Sequence, residues 1–384
     1  MFANRTGIRE TNERTVLSVI LNEGPLSRAQ LSEKIGLNKA SVSAIVKTLI
    51  DQQLIKEVGI GESTIQGGRK PIMLELNKAA GFAISVDIGH DYIDTMVHYL
   101  DGSTLKRKLL PFRVVEKATI TADLVTILQE ITAQLPESPF GIVGMTIAIH
   151  GIIHNNAIDF TPVYDFSDFP LAEELEKHLD YPIFLENEAN LLALSEHAKN
   201  SDFSNLVCIS IHAGVGAGII MNDQLYTGEN GLSGEIGHMI VQVNGNPCTC
   251  GGNGCLQTYS SEKVLLDTYR ELSGNKEAII PDVYRAYAKN DALATKLINN
   301  MIDYLTIAVH NIITLYNPRV IAIHSEISRL LPEFPEKIKH KLPHLTSANI
   351  QMKHASLGEE AILFGAAVVT IANFLEVPRF ELKK

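Results

Sequence analysis

The side chains best suited to chemistry are gathered between Gly234 and Cys255. That stretch holds three of the chain's 4 cysteines, Cys248, Cys250 and Cys255, in the spacing C-x-C-x4-C, with His238 ten residues ahead of the first. Three soft thiolates and one imidazole make a tetrahedral donor set suited to zinc. Gly251, Gly252 and Gly254 let the backbone turn tightly enough for the sulfurs to face one point. The alternatives are a chance cluster or a disulfide, and an odd group of three in a cysteine-poor chain speaks against the disulfide. A closed site of this kind, one zinc per chain, holds a loop in place rather than catalysing a reaction. Glu235 lies three residues before His238, so a metal-held imidazole also places a carboxylate beside it.

The 384 residues suffice for two or three domains, and 45% hydrophobic with 20% charged is ordinary for a globular chain. No apolar run was expected to span a membrane, and the first residues carry no apolar signal core, so a cytoplasmic location is expected. The net charge of −11 argues against nucleic acid, but it is uneven. Residues 1–80 hold 11 Lys+Arg against 8 Asp+Glu, while the remainder holds 22 against 36. A basic head on an acidic body is the result.

The head reads as a winged helix-turn-helix over residues 1–78. Val16, Leu17, Ile20 and Leu21 recur at helical spacing, and Gly24-Pro25 breaks that helix. Ser27-x-x-Gln30 has the form of a capping box, Gly36 closes the second helix, and Asn38 opens a third. The third helix buries Val42, Ile45, Val46, Leu49 and Ile50 and presents Lys39, Ser41, Ser43 and Lys47 to a DNA groove. Residues 54–58 and 72–76 read as strands flanking a wing, with Arg69 and Lys70 at its basic base. A small helical domain that binds protein is the competing reading.

Residues 79–384 read as an α/β body. An apolar strand ends at Asp87-x-Gly89, and a partner strand covers 93–99. Helical spacing follows at 118–135 and strands at 142–149 and 182–185, the last leading into E-N-E-A-N (186–190). The order begins again near Leu206, which implies two related lobes: a smaller one of about 79–195 plus a C-terminal helix of about 365–384, and a larger one of about 196–364.

These motifs resemble the ROK family of repressors, open reading frames and sugar kinases, over nearly the whole chain. The carriers are Glu235-Ile-Gly-His238, the cysteine motif, Asn187 within E-N-E-A-N, the glycine run Gly214 to Gly218, and Leu357-Gly-Glu-Glu-Ala361 with Gly365-Ala366-Ala367. The head and the G-G-R-K-P wing place the chain with the family's repressor branch, and E-N-E-A-N with Thr161-Pro162 is most similar to its xylose-repressor group. The resemblance implies an actin-like (ribonuclease-H-like), sugar-kinase-type body with zinc and a sugar pocket. It places sugar contacts at Asn187, Glu188, Glu235 and His238, and at Asp165 and Gln257, where the family usually has Asn and Glu. His150 stands where many members have Pro.

Family kinases usually read D-x-G-G-T at the first phosphate loop, and here Asp87-Ile88-Gly89-His90-Asp91 puts a carboxylate where a hydroxyl should meet phosphate. Ala213 replaces a Thr donor before the second loop's glycines, and His324-Ser325 replaces the adenine-side Gly-Gly. No nucleotide is therefore expected, and Glu188, at the position of the kinase base, is read as an acceptor for sugar hydroxyls. The expected protein is a non-catalytic repressor, a homodimer or tetramer, which leaves operator DNA when xylose or a related monosaccharide binds. The alternatives are a sugar kinase with a DNA-binding head and a regulator controlled by a transport protein.

Overall fold

The computed structural model describes residues 5–60, 70–89, 91–111, 114–162, 164–200, 202–378 and 380–382. The chain divides into two compact units, Met1–Ala148 with Phe169–Leu185 and Ala366–Lys384, and Ile149–Asp168 with Glu186–Gly365.

In the first unit, helices Arg5–Glu23, Arg28–Ile35 and Lys39–Asp51 precede strands Ile55–Ile60 and Ile72–Leu76. The capping box is formed: the Gln30 amide donates to Ser27 Oγ at 3.3 Å, and the Ser27 amide donates to Gln30 Oε1 at 2.8 Å. Gly36 ends that helix at φ 74°, a left-handed conformation that side chains resist. Asn38 Oδ1 accepts the Ser41 amide at 2.8 Å and starts the third helix. Val42, Ile45, Val46 and Leu49 are buried as expected, whereas Ile50 is only half-buried at the helix end. Strand Leu26–Ser27 pairs antiparallel with Ile72–Leu76 and completes a three-stranded sheet. Two residues are too few to show alternation, so this strand left no trace in the sequence pattern.

Each unit carries a five-stranded sheet, and the two sheets share one strand order. In the first, Phe82–Ile88, Tyr92–Tyr99 and Thr104–Pro111 form an antiparallel meander, with Ile142–Ile149 and then Ile183–Asn187 on the other side of the opening strand. In the second, Leu206–Ile211, Val215–Met221 and Gln224–Leu225 form the meander, with Val320–His324 and Gln351–His354 on the other side. A helix precedes the fourth strand in each, Ile120–Thr132 and Ala292–Tyr316, and another follows the fifth, Glu188–Lys199 and Ala361–Leu375. The restart near Leu206 is thus a duplicated topology. Segments 149–168 and 186–195, assigned above to the smaller lobe, pack with the second unit. The reason is visible in the packing: Leu192 and Ala193 lie against Leu206, Cys208 and Ile220 of the second sheet.

That packing explains part of the glycine run. A Cβ on Gly218 would lie 2.0 Å from the Ala189 carbonyl oxygen, so the helix Glu188–Lys199 rests directly on the strand backbone. Gly218→Ala should therefore cost about 1–3 kcal/mol through overpacking, read as a lower thermal unfolding midpoint. An unchanged midpoint contradicts the close approach.

The stretch Gly358–Leu375 is long and apolar enough, by length and composition, to cross a membrane. This corrects the expectation that no apolar run approaches that span. Its Ala361, Ile362, Ala367, Ile371 and Leu375 side chains are buried, and Thr370 Oγ1 lies 2.7 Å from Thr146 Oγ1. Packing against protein accounts for its apolar face.

Candidate metal centre and ligand site

The donor atoms of His238, Cys248, Cys250 and Cys255 all lie within 4.8 Å of one another. Cys248 Sγ is 3.7 Å from His238 Nδ1, and Cys250 Sγ is 3.7 Å from Cys255 Sγ. A metal with bonds of about 2.3 Å to four tetrahedral donors requires edges of about 3.8 Å. A 3-10 turn, Ile236–His238, presents the imidazole. The Cys248 amide donates to the Gly252 carbonyl at 2.9 Å, and bridges Ile240↔Cys255 and Pro247↔Asn253 draw the loop ends together. Gly254, at φ 79°, crosses so close to Gln242 that a Cβ would sit 1.7 Å from its carbonyl oxygen. All four cysteines are free thiols. Burial, then the Cys250 and Cys248 side chains, push the Cys255 thiol up to about 12. Three sulfurs this close ionise together only around a cation, so the donor set fits a zinc ion.

The other face of His238 opens on the carboxylates. Its Nε2 lies 3.9 Å from Glu235 Oε2. Burial, then the charge of Glu188, push the Glu235 carboxyl up to about 7. Glu188 is itself buried in the first turn of its helix. The structure thus sets Glu235 within electrostatic reach of both Glu188 and His238, with Asn187 beside Glu188.

Asn187 carries structural bonds as well. Its Oδ1 caps the helix by accepting the Ala189 and Asn190 amides at 2.8 and 3.2 Å, and its Nδ2 donates to the Gly151 carbonyl at 2.8 Å. Only one N–H is left for a ligand, so the amide is a donor there and not an acceptor. Gln257 donates from Nε2 to Cys248 Sγ at 3.4 Å. A neutral amide suits a position beside a thiolate, where the family's usual Glu would add repulsion. Asp165 is exposed and, among the described residues, makes no hydrogen bond or ion pair with the other candidates. The His150 amide donates to Tyr164 Oη at 3.2 Å, and the Phe166 amide donates to Thr161 Oγ1 at 3.0 Å, which fixes the turn carrying Asp165. Sequence reasoning missed Glu186, whose carboxylate accepts the Asn190 side chain at 2.9 Å and the Asn187 amide at 2.8 Å. Its place in E-N-E-A-N was the available signal.

The loop at Asp87–Gly89, compared above with a kinase phosphate loop, is covered by a side chain. Tyr92 Oη donates to Asp87 Oδ2 at 2.8 Å, and a Cβ on Gly89 would lie 2.0 Å from the Tyr92 ring. The ring therefore covers Gly89. Asp91 is exposed, and His90 lies outside the described residues. Ser325 spends its hydroxyl capping the helix Glu326–Leu330, accepting the Ser328 amide at 2.9 Å.

On the head, Lys39, Ser43 and Lys47 are exposed along the third helix. Ser41 is half-buried, with its amide held by Asn38. Lys70 is exposed, and Arg69 lies outside the described residues. Arg28, which sequence reasoning missed, pairs with Glu57 at 3.0 Å and shares a groove with Lys70.

Residues 83–373 match the model of the ROK family, and residues 9–61 match that of the MarR family. The chain belongs to the ROK family. It is 34% identical to the xylose repressor of Bacillus subtilis (strain 168), over 98% of each chain. Among solved structures, a ROK family transcriptional regulator, a homologue of the E. coli MLC protein, superposes with a TM-score of 0.81 at 28% identity, over 97% of this chain and 98% of that one. A Streptomyces griseus ROK glucokinase solved with glucose and AMPPNP reaches 0.65 at 21% identity, over 75% of this chain and 99% of its own, and shares the fold. A winged helix-turn-helix ahead of an actin-like, sugar-kinase-type body is the architecture of this ROK protein.

Proposed function

We propose that this ROK protein is a sugar-responsive, DNA-binding transcriptional repressor of carbohydrate-utilisation genes, acting where its operator DNA lies. The observation that carries the reading is Tyr92 closing the first phosphate loop while Glu188, Glu235 and His238 stay assembled. That arrangement supports a pocket that meets hydroxyls rather than phosphate. The B. subtilis relative's name points to xylose or a related monosaccharide as the effector. Glu188 and Glu235 accept sugar hydroxyls, His238 Nε2 and the remaining Asn187 N–H complete the set, and Gln257 and Asp165 act at its edge. A structural zinc, one per chain, held by His238 Nδ1 and the three thiolates, orients His238 and Glu235.

The residues 1–78 form the operator-reading head and 79–384 the sensing body. In a homodimer or tetramer, two third helices address half-sites about 34–36 Å apart. Lys39, Lys47, Arg69 and Lys70 contact phosphates, and Ser41 and Ser43 lie toward base edges. A sugar shifts the DNA-binding equilibrium only through unequal affinity for two states, about 5.5 kcal/mol for a full switch.

Selection from random duplexes should recover a two-fold operator, and its affinity should fall steeply with salt. The double variant Lys39→Ala, Lys47→Ala should lower the log–log salt slope by about 2. An unchanged slope removes this helix face from the DNA interface. Glu188 keeps a carboxylate at the position of the kinase base, so a kinase is the second reading. An ADP-release assay with xylose, glucose and N-acetylglucosamine should show no turnover.

A further inference from the structure

The head, the first five-stranded sheet and the C-terminal tail share the first unit. The chain passes from the head's last strand, Ile72–Leu76, to the body's first strand, Phe82–Ile88, through the short 3-10 turn Lys78–Ala80. That link is bonded to both parts. Asn77 donates its amide to the Leu54 carbonyl and its Nδ2 to the Gln53 carbonyl of the head, both at 2.9 Å. The Lys78 carbonyl accepts the Leu100 amide at 3.0 Å, and Lys78 Nζ stands 3.5 Å from Asp101 and 4.9 Å from the centre of the Tyr99 ring. Leu100 to Ser103 is the hairpin turn between strands Tyr92–Tyr99 and Thr104–Pro111.

The C-terminal tail meets the same hairpin turn. Gly102 has φ 80°, and a Cβ there would lie 2.6 Å from Leu382 Cδ2 and 3.2 Å from Phe380 Cζ. Val377, Phe380 and Leu382 are buried, and burial of this apolar surface holds the tail down. From there the tail reaches the head. The Glu381 amide donates to Asn22 Oδ1 at 3.0 Å, near the end of the first helix, and Glu376 pairs with Arg14 of that helix. Glu376 takes φ 52°, a conformation in which glycine is the easier residue, yet only a side chain can meet Arg14. The ion pair is exposed and adds little by itself.

Neither the hairpin turn nor the tail belongs to the ligand site or to the DNA-facing surface proposed above. A head held by its covalent link alone would sample many orientations and accept half-sites at several separations. A head tied through Asn77, and through Asn22 and Arg14 as well, keeps one pose. We propose that the tail, 376–382, and the hairpin turn at Gly102 form a seat that fixes the pose of the operator-reading head. Asn22 and Phe380 are thereby positioning residues for half-site spacing. The consequence for DNA rests on the repressor reading, whereas the seat stands on the contacts alone.

Hydrogen exchange of the full chain, read by mass spectrometry, tests the seat. Asn77, Leu100 and Glu381 donate the amides that join head, hairpin and tail. Exchange at all three should quicken together, by about fivefold or more, in Asn22→Ala and in Phe380→Ala. Strand Leu206–Ile211 of the second unit should keep its wild-type rate. Asn22→Ala leaves the buried apolar side chains in place, so it decides the matter if Phe380→Ala does not fold. Quickening confined to Glu381, or none at any of the three, overturns the seat. Selection from random duplexes tests the consequence: the wild type should recover a single half-site spacing, and Asn22→Ala should recover neighbouring spacings too. A variant that keeps the single spacing overturns the positioning role. A wild type that selects no duplex overturns the repressor reading, and exchange still decides the seat.

Discussion

Cys250→Ser is expected to strip the chain of its zinc. Elemental analysis of the wild-type protein should give one zinc per chain, and the variant should hold none. Cys250 is exposed, so the substitution opens no hole in the core, and its effects report the metal. Structural zinc binds with about 10–16 kcal/mol in small domains. Only part of that appears as stability here, because most of the core, Ile209, Leu305, Ile321 and Phe334 among it, comes from outside the loop, which adds Ile236 and Leu256. The larger consequence falls on the ligand site. Without the metal, His238 Nδ1 has no anchor, and the imidazole that stands 3.9 Å from Glu235 is free to turn. Sugar affinity should fall by at least about tenfold, the usual scale for losing a support of metal ligands. Prolonged chelation of the wild type should reproduce both losses. Wild-type protein purified without metal, or a variant with intact sugar affinity, contradicts the assignment.

Glu235→Ala is the second large effect. A hydrogen bond to a charged group contributes about 1.5–3 kcal/mol, so sugar binding measured by calorimetry should weaken by roughly 10–150-fold. Operator binding without sugar should be unchanged, because the residue belongs to the sensing body. Glu188→Gln should weaken the sugar less, since one oxygen acceptor is kept. A Glu235→Ala protein that binds sugar as the wild type does would move the pocket elsewhere.

The features legible in the sequence were those made by neighbours in the chain. Ser27 with Gln30, Gly36, and Asn38 with Ser41 act within one helical turn, and the structure forms each of them. The cysteine motif was legible because ligand spacing is local, and the duplicated strand order because each half repeats its own pattern. What stayed hidden depends on contacts across the fold. Gly218 read as part of a phosphate loop, but its lack of a side chain serves a helix that begins at Glu188. Asn187 read only as a sugar contact, and the helix cap took its acceptor. Tyr92 stands just ahead of the strand read at 93–99, and nothing marks it until its ring is found over Gly89. A cavity between His212 and Glu326 joins segments more than a hundred residues apart, and only His324, Ser325, Gly358 and Glu359 of its lining lay in motifs.

The central claim, that one chain couples a hydroxyl-binding pocket to a DNA-reading head, is tested most directly by operator binding with and without sugar. Fluorescence anisotropy of the selected operator with the full-length protein, at fixed salt, should show at least one pentose or hexose raising the dissociation constant by about tenfold or more, equivalent to about 1.4 kcal/mol. Operator affinity that stays constant across the whole monosaccharide panel would contradict the account.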